Sequence, residues 1–265
     1  MVNMLQIFEH ASGQKINVDK SSAFFNRNTQ QHERVNICKI LRVGEAEDNS
    51  TYLGLPNMLG RKKTSIFGYL KDHLRDRVQG WDKKYLSGGG KEILLKTVAQ
   101  SLPNYAMGIF LIPQQICKEL EGIMSKFWWR TSKQKERGIS WLSWDRLCKR
   151  KTQGGLGFRK LHEFNIALLG KQIWRFLTNR DSLVSRLYKA RYFPNSSFLE
   201  ATLGNNSSYT WKSILEAQVL LKKGAVRRIG SGETVSIEND PWLPHKEDPY
   251  IHTSHEALKI LRLIL

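Results

Sequence analysis

The spacing of apolar positions predicts a chain built mostly of helices, with strand signals confined to its beginning and its end. Met4, Leu5, Ile7 and Phe8 form an apolar patch over residues 1–11, and Gly13 supplies a helix stop. Lys15–Lys20 reads as a loop feeding a short strand at Ser22–Asn26. Helical spacing returns over residues 30–42 through Val35, Ile37, Ile40 and Leu41. The polar run Glu45–Ser50 is a turn, and Tyr52–Leu55 is a second strand ended by Pro56. The first 56 residues therefore read α-β-α-β, the back half of an α+β unit.

From there the period is helical. Residues 64–81 put Ile66, Phe67, Leu70, Leu74, Val78 and Trp81 on one face, with Lys71, Arg75 and Arg77 off it. Residues 91–102 repeat the idea with Ile93, Leu94, Val98 and Leu102. Pro113 opens a helix marked by Ile116, Leu120, Ile123, Met124, Phe127 and Trp128. Two further helices are expected at 161–179 and 182–191, the second capped by Asp181 or Ser182. Residues 195–208 are an Asn/Ser-rich loop, and Trp211, Ile214, Leu215 and Val219 mark a last helix stopped by Gly224. Ala225–Ile229 and Thr234–Ile237, joined through Gly230-Ser231-Gly232, read as a β-hairpin. The stripes are expected to be core, and with them Trp128, Trp141, Trp144 and Trp174.

Charge changes this picture from a generic helical protein to one with a polyanionic partner. Forty-two Lys and Arg face 24 Asp and Glu, a net +18 with an isoelectric point near 9.9. Nucleic acid is the usual partner of such an excess, anionic membrane the rarer one. Residues 126–191 alone hold 17 Lys and Arg against four Asp and Glu, and five of the eight tryptophans. Cys38, Cys117 and Cys148 lie far apart with no paired spacing, which argues for a reducing compartment rather than a disulfide framework. Met1–Gln6 shows no basic region leading into an apolar run, and no apolar stretch reaches the ~18–20 residues that span a bilayer. An intracellular protein, nuclear or cytoplasmic and without a membrane partner, is the expectation.

Bond chemistry finds little support. Gly90-Lys91 suggests a phosphate-binding loop, but Tyr85 and Glu92 stand where that motif needs glycine and a hydroxyl. His252 and His255 have no further zinc ligands nearby. A ribonuclease H centre needs clustered carboxylates, and the acids here are scattered.

A series of short motifs resembles the C-terminal part of the reverse transcriptase of plant non-LTR (LINE-type) retrotransposons. It begins with Ser12-Gly-Gln-Lys-Ile-Asn-Val-Asp-Lys20-Ser, Tyr52-Leu-Gly-Leu-Pro, and Gly80-Trp-Asp-Lys-Lys-Tyr-Leu-Ser87-Gly-Gly-Gly-Lys91. Phe127-Trp-Trp, Trp141-Leu-Ser-Trp144-Asp-Arg-Leu-Cys, Gly154-Gly-Leu-Gly-Phe and Phe164-Asn-Ile-Ala-Leu-Leu-Gly-Lys171-Gln-Ile-Trp174-Arg follow. Tyr209-Thr-Trp211-Lys-Ser-Ile and Asp240-Pro-Trp242-Leu-Pro close the series, which runs in family order over about 1–244.

The resemblance implies a residual palm over 1–60, a helical thumb over 61–112, a basic linker over 113–244 and a tail over 245–265. In that frame Lys20 is the lysine near the leaving pyrophosphate and the catalytic candidate. Tyr52, Leu53 and Gly54 are the primer grip. Arg61, Lys62, Lys63, Arg75, Arg77, Lys83, Lys84 and Lys91 are thumb cations for template–primer phosphates. The same cations also suit an ordinary solvated helix face. The family uses Mg²⁺ through paired carboxylates, and no Asp-Asp pair occurs in this chain. No cofactor is therefore expected on this chain alone. The implied function is a truncated RNA-directed DNA polymerase fragment that binds RNA or RNA/DNA template–primer without sequence preference and does not polymerise alone. Alternatives are a subunit lending Lys20 and the grip to a chain that carries the carboxylates, a non-catalytic nucleic-acid-binding protein, and a pseudogene product.

Overall fold

The first helix, α1 (Val2–Ser12), ends where Gly13 takes a φ of +68° that side chains disfavour. In the computed structural model the described residues are 2–26, 28–47, 51–52, 54–56, 63–82, 86–130, 139–205, 207–229, 235, 237, 240–243, 245 and 249–253. The chain divides into two compact units, residues 1–61 and 62–265. It is mainly helical with a small α+β part at the N-terminus, as the spacing predicts.

In the first unit a 3₁₀ turn at Val18–Lys20 is capped by Asn17, whose Oδ1 accepts from the Lys20 N–H at 3.1 Å. Strand β1 (Ser22–Ala23) pairs in parallel with β2 (Gly44–Glu45), and α2 (Gln31–Leu41) forms the crossover. Arg34 fastens this unit: it donates to the Thr29 carbonyl at 2.9 Å, the Asn26 carbonyl at 3.0 Å and Glu45 at 2.9 Å. Glu45 is thus a strand residue and not the start of a turn. The expected single strand Tyr52–Leu55 is also different. Strands β3 (Thr51–Tyr52) and β4 (Leu55–Pro56) pair antiparallel, Tyr52 opposite Leu55, because Gly54 at φ +76° folds the chain back. Neither α1 nor α2 buries a residue, and Met4, Ile7, Phe8, Val35 and Ile40 are exposed.

The second unit begins with α3 (Lys63–Ile66) and α4 (Tyr69–Asp82), separated at Phe67 and Gly68. Phe67, Leu70, Leu74 and Val78 are buried, the face that the period predicts. Helix α5 (Gly88–Leu94) starts on three glycines, and its Ser87 cap accepts from the Gly90 N–H at 3.2 Å. It runs into a π-helical turn at Leu95–Ala99. Leu95 and Ala99 are buried and Leu94, Val98 and Leu102 half-buried, so of the expected stripe only Ile93 is exposed. Leu94, Leu95, Val98, Ala99 and Leu102 share one face, which packs toward α4 and α7 (Gln114–Trp129) and leaves Ile93 beside it. Short α6 (Asn104–Met107) precedes α7.

Helix α8 (Trp144–Leu147) leads through a glycine-rich turn to α9 (Leu161–Thr178), which packs on α6, α7, α10 (Leu183–Tyr192), α11 (Tyr209–Glu216) and α12 (Gln218–Gly224). Ser182 caps α10, its hydroxyl accepting from the Ser185 N–H at 3.2 Å. Leu169, Ile173 and Phe176 of α9 meet Phe193, Phe198, Leu199, Trp211, Ile214 and Leu221 in one core. Asn165, fully buried on α9, accepts from the Ile112 N–H at 2.7 Å and donates to the Met107 and Phe110 carbonyls. It thereby satisfies the chain between α6 and α7, where backbone groups lack regular partners.

Four expectations change here. The Asn/Ser-rich loop over 195–208 contains a 3₁₀ turn at Phe198–Glu200, whose Phe198 and Leu199 enter the core. The last helix is two helices broken at Ala217, and Val219 is exposed. Residues 225–229 form no strand: the Arg227 N–H donates to the Pro241 carbonyl at 2.7 Å and its guanidinium pairs with Asp240. The expected hairpin turn at 230–234 lies outside the described residues. Trp141 and Trp174, expected in the core, are 74% and 52% exposed, whereas Trp211 is fully buried.

Candidate nucleic-acid interface

Helical spacing on α4 separates its cations by role. Lys71 turns inward and bonds Glu119 of α7 at 2.6 Å, and this hydrogen bond holds the Glu119 carboxyl below its usual pKa. Arg75 and Arg77 face solvent; Arg75 bonds Asp72 at 3.1 Å on the exposed surface, a pair worth little to stability. Lys63 sits 3.9 Å from the centre of the Tyr209 ring and ties α3 to α11. Lys91 donates to the Arg130 carbonyl at the end of α7 and lies 5.5 Å from the Phe127 ring. Lys63 and Lys91 therefore contribute to packing, while Arg75 and Arg77 are exposed to solvent.

In the first unit Lys20 is exposed at the end of the 3₁₀ turn, and Tyr52 and Gly54 belong to the β3–β4 hairpin. Leu53, Arg61, Lys62, Lys83 and Lys84 lie outside the described residues.

Charge counting marked residues 126–191 as basic without singling out any cation there. The structure resolves that charge into a built turn. Leu156 and Phe158 N–H groups donate to the Leu147 carbonyl at 2.8 and 3.3 Å, Gly157 to Lys149 at 2.8 Å and Gly155 to Arg150 at 3.1 Å. Gly154 holds φ +76°, and a Cβ on Gly155 would lie 2.1 Å from the Lys149 carbonyl oxygen. Phe158 beneath the turn stacks on Trp144 at 5.0 Å, their planes 11° apart. Arg146, Lys149, Arg150, Lys151 and Arg159 are exposed around this frame. Lys151 reaches Glu92 at 2.9 Å, and Lys96 bonds the same carboxylate at 2.7 Å. Those two bonds hold the Glu92 carboxyl below its usual range. A signal was present in the sequence, since Lys149-Arg150-Lys151 and Arg159-Lys160 bracket Gly154-Gly155-Leu156-Gly157.

A cavity of about 530 Å³ is lined by Cys117, Glu121, Asp145, Lys160, His162 and Glu163, among others. Glu121 accepts from the Leu161 N–H at 2.7 Å, yet burial raises its carboxyl above the ordinary range. Burial also pushes the Cys117 and Cys148 thiols up to about 12, so neither offers a thiolate at neutral pH. Lys160 is spread between Asp145 at 3.3 Å and Glu163 at 3.2 Å. Among the described residues no three His, Cys, Asp or Glu side chains come together to hold a metal ion. No helix among them is long and apolar enough to cross a membrane.

An uncharacterized mitochondrial protein of Arabidopsis thaliana is 44% identical over 144 residues, covering 54% of this chain and 93% of that protein. The chain belongs to the family of this plant protein. A second Arabidopsis thaliana protein, named as an inferred ribonuclease H protein, is 28% identical over 195 residues. That match takes in 72% of this chain but only 31% of the longer relative's length. No protein-family model matches the chain.

Proposed function

We propose that this chain is derived from a plant retrotransposon reverse transcriptase and binds template–primer nucleic acid non-specifically through its phosphates. The observation that carries the reading is a net +18 of which Arg75, Arg77 and the turn at 146–159 present cations to solvent. Kinship with a longer protein named for a nucleic-acid enzyme supports the same partner class. In this reading the chain holds a primer end and does not extend it, because its sequence has no Asp-Asp pair of the kind that holds the two metal ions.

Fluorescence anisotropy on an RNA/DNA hybrid, titrated with salt, tests the binding. Affinity should fall steeply with salt, and Arg75→Ala with Arg77→Ala should reduce the slope of log K against log salt by about 2. Binding that ignores salt would overturn the phosphate reading. Primer extension with Mg²⁺ should give no incorporation by the purified chain, and incorporation would overturn the inactive assignment.

A further inference from the structure

We propose that the turn at 146–159, together with the exposed indole of Trp141 three residues before α8, is a separate contact surface that prefers single-stranded nucleic acid. The class of partner rests on the function proposed above; the surface and the preference do not depend on α4 or on the hairpin at Gly54.

Three observations carry it. The turn is fixed by the backbone hydrogen bonds of Gly155, Leu156, Gly157 and Phe158 and by a glycine with no room for a side chain, so its cations project from a preformed frame. Arg146, Lys149 and Arg150 are exposed and have no ion-pair partner among the described residues, while Lys151 keeps its side chain 67% exposed despite Glu92. Three uncompensated charges within five residues repel one another, and a phosphate backbone relieves that repulsion. Trp141 is the third, at 74% exposure. It lies three residues before α8, so its Cα stays within roughly 11 Å of that of Trp144. An open indole face accepts an unpaired base, whereas the bases of a duplex are already stacked on one another. Trp144 is not available for this, because its ring is matched to Phe158. An anionic membrane is the competing partner. Interfacial binding usually draws on an amphipathic helix, and here the described segment 139–143 is irregular and α8 is a single turn.

The test uses the full chain with a labelled 20-nucleotide single-stranded RNA and an RNA/DNA hybrid of equal length. Lys149→Gln with Arg150→Gln should lower the single-strand salt slope by about 1 to 2. Trp141→Ala should weaken single-strand binding at least about fivefold and leave hybrid binding within about twofold, the signature of one lost stacked base. Circular dichroism should be unchanged in both variants. If both bind single strands as the wild type does while Arg75→Ala with Arg77→Ala weakens hybrid binding, this inference fails and the function above stands. Equal losses on both ligands, with Trp141→Ala neutral, overturn the single-strand preference. Absent nucleic-acid binding together with cosedimentation on vesicles of phosphatidylserine, lost in the Lys149/Arg150 variant, would overturn both.

Discussion

Gly155 and Glu121 show how single residues carry constraints that composition conceals. At Gly155 a methyl group would overlap the Lys149 carbonyl oxygen at 2.1 Å and the Arg146 carbonyl oxygen at 2.8 Å, both backbone atoms that cannot rotate away. Gly155→Ala should therefore destabilise by about 1–3 kcal/mol, read as a lowered denaturant midpoint. Gly89→Ala serves as the opposite case, since its Cβ meets nothing closer than 4.0 Å; it should stabilise by up to about 1 kcal/mol through helix propensity. Glu121 has a raised folded-state pKa through burial. The folded protein then holds its proton more tightly than the unfolded chain, so stability falls as pH rises through that raised value. Glu121→Gln keeps an acceptor for the Leu161 N–H and removes the buried charge. Its Tm relative to wild type should be higher at pH 8 than at pH 4.5, and a pH-independent difference would refute the assignment. The exposed tryptophans belong to the same lesson: Trp141 and Trp174 carry apolar spacing, but spacing alone does not say which faces meet a neighbour.

Among the elements, α4, α7 and α9 were legible because each has a single apolar stripe flanked by charge, so only one face can turn inward. Helix α5 was not. Its Ile93 continues the apolar spacing yet is exposed, because Leu95 and Ala99 of the π-helical turn that follows are the residues buried. Its start on Gly88-Gly89-Gly90 is intrinsically poor, and the Ser87 hydroxyl compensates by accepting from Gly90 N–H. Ser87→Ala should cost about 1 kcal/mol in thermal unfolding. Strands two residues long are near the limit of what sequence can show. The β3–β4 hairpin hid within an apolar run because its turn depends on one glycine dihedral.

At the level of the whole molecule, residues 62–265 hold nearly all the described core, centred on α9, whereas α1 and α2 bury no residue. An isolated 62–265 polypeptide should therefore unfold cooperatively, with coincident near- and far-ultraviolet circular dichroism transitions. A broad, non-coincident melt would show that its core needs residues 1–61. The charge of the molecule follows the same division of labour. Lys71, Lys63 and Lys91 tie helices together, while Arg75, Arg77 and the turn at 146–159 are left to solvent.

The sequence by itself determined the helical class, the order of the elements and the polycationic character, because periodicity and net charge are properties of the chain before it folds. Tertiary structure decided which cations remain free, which tryptophans are covered and how the Gly154–Phe158 segment closes under Lys149-Arg150-Lys151. Those outcomes depend on which surfaces other elements occupy, and a contact between residues such as Lys71 and Glu119 leaves no local mark on either one's neighbours in the chain.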